Sequence, residues 1–158
     1  MNAAAANEPL RVAAAVIFDQ AGQVLITQRP AGKFMAGYWE FPGGKLDAFE
    51  GAEQALGREL REELGIELRR CHRLLELRHH YADRAVHLEV FVVDESHGEP
   101  SGLEGQALKW VSVAALGQAN LLPADRPIVE ALIANEEIGY GAGHRTAGHS
   151  ARWRRAVP

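Results

Sequence analysis

Residues 51–64, GAEQALGRELREEL, read as a helix, and Gly65 closes it as a C′ residue. On a wheel of about 100° per residue, Leu56, Leu60 and Leu64 fall within an arc of about 80° and form a stripe that faces a core. Gln54, Arg58 and Arg61 take the opposite side. Glu59, Glu62 and Glu63 lie between the two faces, with Glu63 beside the leucines. Their i, i+3 and i, i+4 spacings from Glu59 point all three carboxylates the same way. Each like-charged pair at such spacing costs roughly 0.2–0.5 kcal/mol in an isolated helix. Two readings fit: a solvated face laced with ion pairs, or a site where a divalent cation turns the repulsion into binding. Oxygen ligands without His or Cys favour Mg²⁺ or Mn²⁺ over zinc.

The segments around this helix predict an α/β layer architecture with a mixed sheet. VAAAVIF (12–18) and QVLITQR (23–29) are apolar, β-branched runs separated by DQAG, a hairpin signal. Residues 30–50 form a long loop, rich in Gly and carrying Phe34, Tyr38, Trp39, Phe41 and Phe49. Loops that long are usually functional or disordered, and so many aromatics argue for order. Strands are expected near 67–80 and 85–93, a polar loop at 94–106 and a short strand at 107–111. A helix from about 124 to 137 follows, with Pro127 tolerated in its first turn. Residues 1–9 read as a flexible arm and 139–158 as a flexible, Gly-rich, basic tail, leaving one domain over 10–138.

The 158 residues carry a formal net charge of -4, which argues against a binder of polymeric nucleic acid. Cys71 is the only cysteine, so no intrachain disulfide can form. MNAAAANEPL has no basic n-region, and no apolar stretch approaches the roughly 20 residues that span a bilayer. A cytoplasmic protein with no membrane partner is expected. The GxGxxG fingerprint is missing, and Gly44-Lys45 is followed by Leu46 rather than the Ser or Thr of a Walker A loop.

The residues before the helix discriminate between its two readings. Gly44 is followed after five residues by Glu50, and after seven more by Arg58-Glu59-Leu60-Arg61-Glu62-Glu63-Leu64-Gly65-Ile66. This resembles the Nudix box, G-x5-E-x7-R-E-U-x-E-E-x-G-U with U aliphatic, at every specified position. QRPAGKFMAGYWEFPGGK, LEGQALKWVS and LLPADRPIVEAL are similar to segments of the MutT branch, so the likeness covers about residues 10–135.

The resemblance implies an α/β/α sandwich around a mixed sheet and hydrolysis of a nucleoside triphosphate to monophosphate and pyrophosphate with Mg²⁺ or Mn²⁺. It implies Glu59 and Glu63 as principal metal ligands, supported by Glu62 and the Gly44 carbonyl. Glu104 would serve the metal or act as base, and its plain alternative is an exposed loop acid. Glu50 would be a ligand or general base, Arg58 would orient the carboxylates, and Lys45 would lie near the phosphates. A monomer or homodimer is expected.

Base contacts implied by the likeness are Arg29, Phe41, Asp83, Arg84 and Asp125. Phe41 could equally be core, Asp83 and Arg84 a turn, and Asp125 a helix N-cap. The best-known MutT pattern has Asn where this chain has Asp125. An amide donates and accepts, matching O6 and N7–H of 8-oxoguanine together, whereas an ionised carboxylate only accepts. Asp125 would face O6 favourably only if protonated in a dry pocket; ionised, it suits an exocyclic amine such as cytosine N4. Oxidised dGTP is therefore the leading expected substrate, with a pyrimidine or broad-specificity triphosphatase the alternative. A third reading, a non-catalytic nucleotide-binding module, would usually be marked by lost box carboxylates, and none is lost here.

Overall fold

The computed structural model describes residues 8–135. The expected tail, and the expected arm save Glu8 and Pro9, lie outside the described residues. The strands are β1 (Leu10–Val16), β2 (Val24–Gln28), β3 (Trp39–Glu40), β4 (Gly43–Lys45), β5 (Glu67–Tyr81), β6 (Arg84–His97) and β7 (Leu108–Val111). The helices are α1 (Ala52–Leu64) and α2 (Arg126–Asn135).

A four-stranded mixed sheet runs β4-β1-β6-β5, with β1 parallel to β6 and the other pairs antiparallel. A three-stranded antiparallel sheet runs β3-β2-β7. The DQAG turn forms as expected, with Asp19 and Gln23 bonded through their backbones at 2.9 Å. Its two strands do not continue as a hairpin: they diverge into different sheets after the Phe18–Val24 bridge. Both edges of β1 are already taken, by β4 and β6, so β2 has no ladder to join there.

Strand β1 is buried on both faces, which is why it reads as an unbroken apolar run. Ala13, Ala15 and Ile17 meet Leu56, Leu60 and Leu64 of α1, together with Phe91 of β6. Ala14 and Val16 point the other way, into a core with Val24 and Ile26 of β2 and Ile128 and Leu132 of α2. The result is helix, sheets, helix, the expected α/β/α sandwich. Each fully buried leucine of α1 contributes about 1.5–3 kcal/mol relative to exposure.

Gly65 ends α1 at φ 69, its N–H bonded to the Arg61 carbonyl at 3.1 Å. Strand β6 runs on to His97 rather than stopping at 93. Its polar end still pairs with the start of β5, Glu67 opposite His97, so the ladder overrides the polar composition. The expected helix at 124 begins as a 3₁₀ turn, Pro123–Asp125, and becomes α2 at Arg126. Among the described residues no helix is long and apolar enough to cross a membrane.

Phe49 lies at φ 65, a conformation that crowds any Cβ, and its side chain is 108% exposed. Replacing Phe49 with Gly should therefore raise stability by about 1 kcal/mol. The urea midpoint measures this, and a lower midpoint for Phe49→Gly would contradict the strain.

Candidate active site

Two adjacent glycines shape the floor of the site for different reasons. A Cβ on Gly43 would lie 2.0 Å from the Ala13 carbonyl oxygen, so β4 can pair with β1 only through a glycine. A Cβ on Gly44 would instead lie 2.3 Å from the carboxyl carbon of Glu59. The glycine thus makes a cradle in which a carboxylate from α1 rests against β4.

Arg58 organises the acidic face. Its Nη1 donates to Glu59 at 2.9 Å and its Nη2 to the Lys45 carbonyl at 3.0 Å. Nε and Nη2 each donate to Glu50 at 2.9 Å, a two-pronged pair. Glu50 also accepts the Asp47 N–H at 3.0 Å. Arg58, and then that amide, hold the Glu50 carboxyl down to about 2. Both Glu50 oxygens are occupied, and Glu50 faces a cleft on the far side of α1. Glu62 reaches Arg58 at 3.4 Å and its side chain is 56% exposed.

On the near side lies a cavity of about 560 Å³. Gly44, Lys45, Glu59, Glu63 and Glu104 line one end of it. Burial, then the charge of Glu59, raises the Glu63 carboxyl well above its ordinary value, with Glu104 and Glu40 adding to the effect. Among the described residues no three His, Cys, Asp or Glu side chains converge on a ready-made metal cage. The donor set nonetheless fits a hard divalent cation that completes its shell with substrate oxygens and water. It is oxygen-only, crowded with like charge, and faces a cavity with room for those oxygens.

Glu104 arrives on a loop docked to the end of α1. Ser101 N–H donates to the Leu64 carbonyl and Leu103 N–H to the Glu63 carbonyl, both at 3.0 Å. These bonds satisfy carbonyls that a helix C-terminus leaves without partners.

Arg29, Glu40, Phe41, Arg84 and Asp125 line the rest of the cavity. Arg29 pairs with Glu40 at 2.9 Å, and burial raises the Glu40 carboxyl in spite of that arginine. Phe41 is both core and cavity wall: its ring is buried, and its N–H donates to Asp125 Oδ2 at 3.2 Å. Asp125 does not cap a helix; its carboxyl crosses to Phe41 instead. It is 5% exposed, and burial, then the charge of Glu40, pushes it up to about 8. Arg84 lies 5.4 Å over the Phe34 ring. Asp83 stays in the exposed β5–β6 turn, off the cavity wall.

Three of the cavity residues that escaped the reading of the sequence are Glu40, Tyr81 and Gln106. Glu40 reaches Arg29 because β2 pairs with β3, which sequence spacing does not reveal. Tyr81 accepts the Ala124 N–H at 3.2 Å, a contact between distant segments. Gln106 stands two residues after Glu104, the one local signal among the three.

The three-layer domain is the fold that the box resemblance implied, although Gly43 and Gly44, expected in the long loop over 30–50, stand in strand β4. A family model described as a NUDIX domain matches residues 13–131, and the chain belongs to that family. A CTP pyrophosphohydrolase of Escherichia coli (strain K12) is 42% identical over 120 residues, covering 76% of this chain and 89% of that protein. An 8-oxo-dGTP diphosphatase of the same organism is 37% identical over 123 residues, covering 78% of this chain and 95% of that protein. A solved structure from work on MutT of Aliivibrio salmonicida and Vibrio cholerae superposes with TM-score 0.70 at 34% identity, covering 80% of this chain and 98% of that one.

The two glycines should separate by mutation. Gly43→Ala meets immovable backbone and should cost about 3 kcal/mol or more. Gly44→Ala displaces only the end of a flexible side chain, so stability should stay within about 1 kcal/mol while Mn²⁺ binding weakens. Urea unfolding and Mn²⁺ titration measure both; equal destabilisation by the two would refute the distinction.

Proposed function

We propose that this chain is a Mg²⁺-dependent nucleoside triphosphate pyrophosphohydrolase, with Mn²⁺ as a substitute, acting on oxidised dNTPs such as 8-oxo-dGTP. It would work in the cytoplasm as a sanitiser of the nucleotide pool, keeping damaged bases out of DNA, with residues 10–138 as its catalytic domain. The observation that carries this reading is a single cavity with crowded carboxylates at one end and, at the other, a buried Asp125 whose carboxyl burial pushes up to about 8. The E. coli 8-oxo-dGTP diphosphatase relative supports it.

Glu59 and Glu63 would hold the cation, with Glu62 and the Gly44 carbonyl in support. Arg58 keeps Glu59 in place, and Glu50, both of whose oxygens it engages, anchors that arginine. A bound divalent cation supplies charge neutralisation for the triphosphate and a lowered pKa for water. Lys45 at the same end would meet phosphate oxygens. Water attacks the β-phosphorus, the bond to the α–β bridging oxygen breaks, and monophosphate departs, leaving pyrophosphate. A cavity carboxylate, Glu63 or Glu104, would take the water's proton.

Arg29, Phe41, Arg84 and Asp125 would receive the base, with Asp83 at the margin. A neutral Asp125 donates through its O–H to O6 and accepts from N7–H, the pairing an amide would make. Undamaged guanine offers a bare N7 acceptor there and loses one bond. Ionised Asp125 only accepts, so binding of 8-oxo-dGTP should weaken as pH rises through about 8. Asp125→Asn should keep its preference across that range.

The same group sets a stability trend. Its folded pKa lies above the ordinary 3.8, so the folded state binds the extra proton between 3.8 and about 8. Stability is therefore lost as pH climbs through that window. Asp125→Asn removes the penalty, and its advantage over wild type should grow by a few kcal/mol from pH 4 to 8. Denaturation at both pH values measures it; a gap that does not widen contradicts a neutral Asp125.

A cytosine triphosphatase is the second reading, favoured by the CTP pyrophosphohydrolase relative and by the fit of an ionised Asp125 to cytosine N4. Pyrophosphate release with Mg²⁺ from 8-oxo-dGTP, dGTP, CTP, 5-substituted dCTP and ADP-ribose decides between them. Fastest turnover of 8-oxo-dGTP is expected. Preference for the cytosine nucleotides would replace the first reading with the second, and no release from any would sink both. Glu63→Gln should fold normally and lose about 10²-fold or more in turnover.

A further inference from the structure

The loop that carries Glu104 is built around one side chain with no assigned role. Gly102 to Gly105 make a tight turn, closed by a 3.0 Å bond from Gly105 N–H to the Gly102 carbonyl, with Gly105 at φ 78. Gln106 folds back beneath this turn. Its Nε2 donates to the Glu63 carbonyl at 3.0 Å, and its Oε1 accepts the Glu104 N–H at 3.0 Å. Gly102 leaves the space for it: a Cβ there would lie 2.3 Å from the Gln106 carbonyl oxygen and 3.3 Å from Oε1. One planar amide therefore joins the backbone of Glu104 to the backbone of Glu63.

We infer that Gln106 is a positioning residue that fixes the reach of Glu104 toward Glu63 and so sets the geometry at the acidic end of the cavity. The inference rests on the hydrolase reading above. The chemistry of the bridge selects glutamine. It needs a donor for a helix carbonyl and an acceptor for a loop amide, in one rigid group of this length. The reversed amide would set acceptor against carbonyl and donor against N–H, so its orientation is determined. Glutamate keeps the acceptor but loses the donor, and methionine fills the volume with neither.

Leu103 N–H also reaches the Glu63 carbonyl, so the loop stays docked on α1 without Gln106. What Gln106 adds is control of the next residue, Glu104. Groups that orient carboxylates around a metal typically alter metal affinity or activity by 10–100-fold.

The test is a double-mutant cycle with a readout on metal-free protein. Gln106→Met should retain its thermal midpoint, cut Mg²⁺-dependent triphosphate turnover by about 10-fold or more, and raise the Mg²⁺ needed for half-maximal rate. In a Glu104→Gln background the same change should have little further effect, because Gln106 acts through Glu104. Gln106→Glu should fall between wild type and Gln106→Met. By NMR of metal-free protein, the Glu104 amide should exchange faster in Gln106→Met, while the Leu103 amide is unchanged. Unaltered turnover, or losses that multiply with Glu104→Gln, would overturn the assignment. Unaltered Glu104 exchange would do so even if wild type proved inactive on every triphosphate. That inactivity alone would count against the hydrolase reading instead.

Discussion

The packing of α1 on the alanines of β1 sets the distance on which the site depends. Ala13 and Ala15 present the smallest apolar side chains to Leu56, Leu60 and Leu64, so the helix lies close to the sheet. The same strand pairs on its edge with β4, placing Gly44 beneath the helix. Glu59 then meets a backbone with no Cβ in the way. Bulkier residues at 13 or 15 would lift α1 and carry its carboxylates off that floor. A core contact and a functional one are thus the same piece of geometry.

Charge is distributed unevenly around α1, and the unevenness is informative. On one side Arg58 engages Glu50, Glu59 and Glu62. Its fork suits several carboxylates at once, so each of the three has a cation within hydrogen-bond reach. On the other side Glu63 faces Glu59, Glu104 and Glu40, and its carboxyl is driven upward by burial and by those charges. Without a cation, such a group holds a proton to limit the repulsion. Arg58 therefore does not compete for the site: it fixes one carboxylate and leaves the imbalance where a cation and a triphosphate would meet.

How much of this was legible beforehand depends on whether the signal was local. The α1 stripe, its Gly65 terminus and the box spacing are all contained within 23 consecutive residues, Gly44–Ile66, and each stands where the sequence put it. The DQAG turn was also legible, but not the divergence of its strands, because that depends on what occupies the two edges of β1. The roles open to Asp125 could be set out from its chemistry alone. Burial and the Phe41 N–H, 84 positions away, set the N-cap role aside. Glu40 and Tyr81 were invisible for the same reason: each gains its meaning from a partner on another segment.

Glu40 also links the two ends of the cavity. Its charge helps raise the carboxyls of both Asp125 and Glu63, while Arg29, its 2.9 Å partner, lowers Asp125. Anything that draws Arg29 away from Glu40, such as a bound phosphate or base oxygen, leaves Glu40 less compensated. Both neighbouring carboxyls would then hold their protons more firmly. At Asp125 that favours the neutral form that can pair with a keto and an imide edge. At Glu63 it opposes ionisation until a cation offsets it. On the hydrolase reading, occupation of the base pocket and demand for metal would therefore be coupled through one half-buried acid, Glu40.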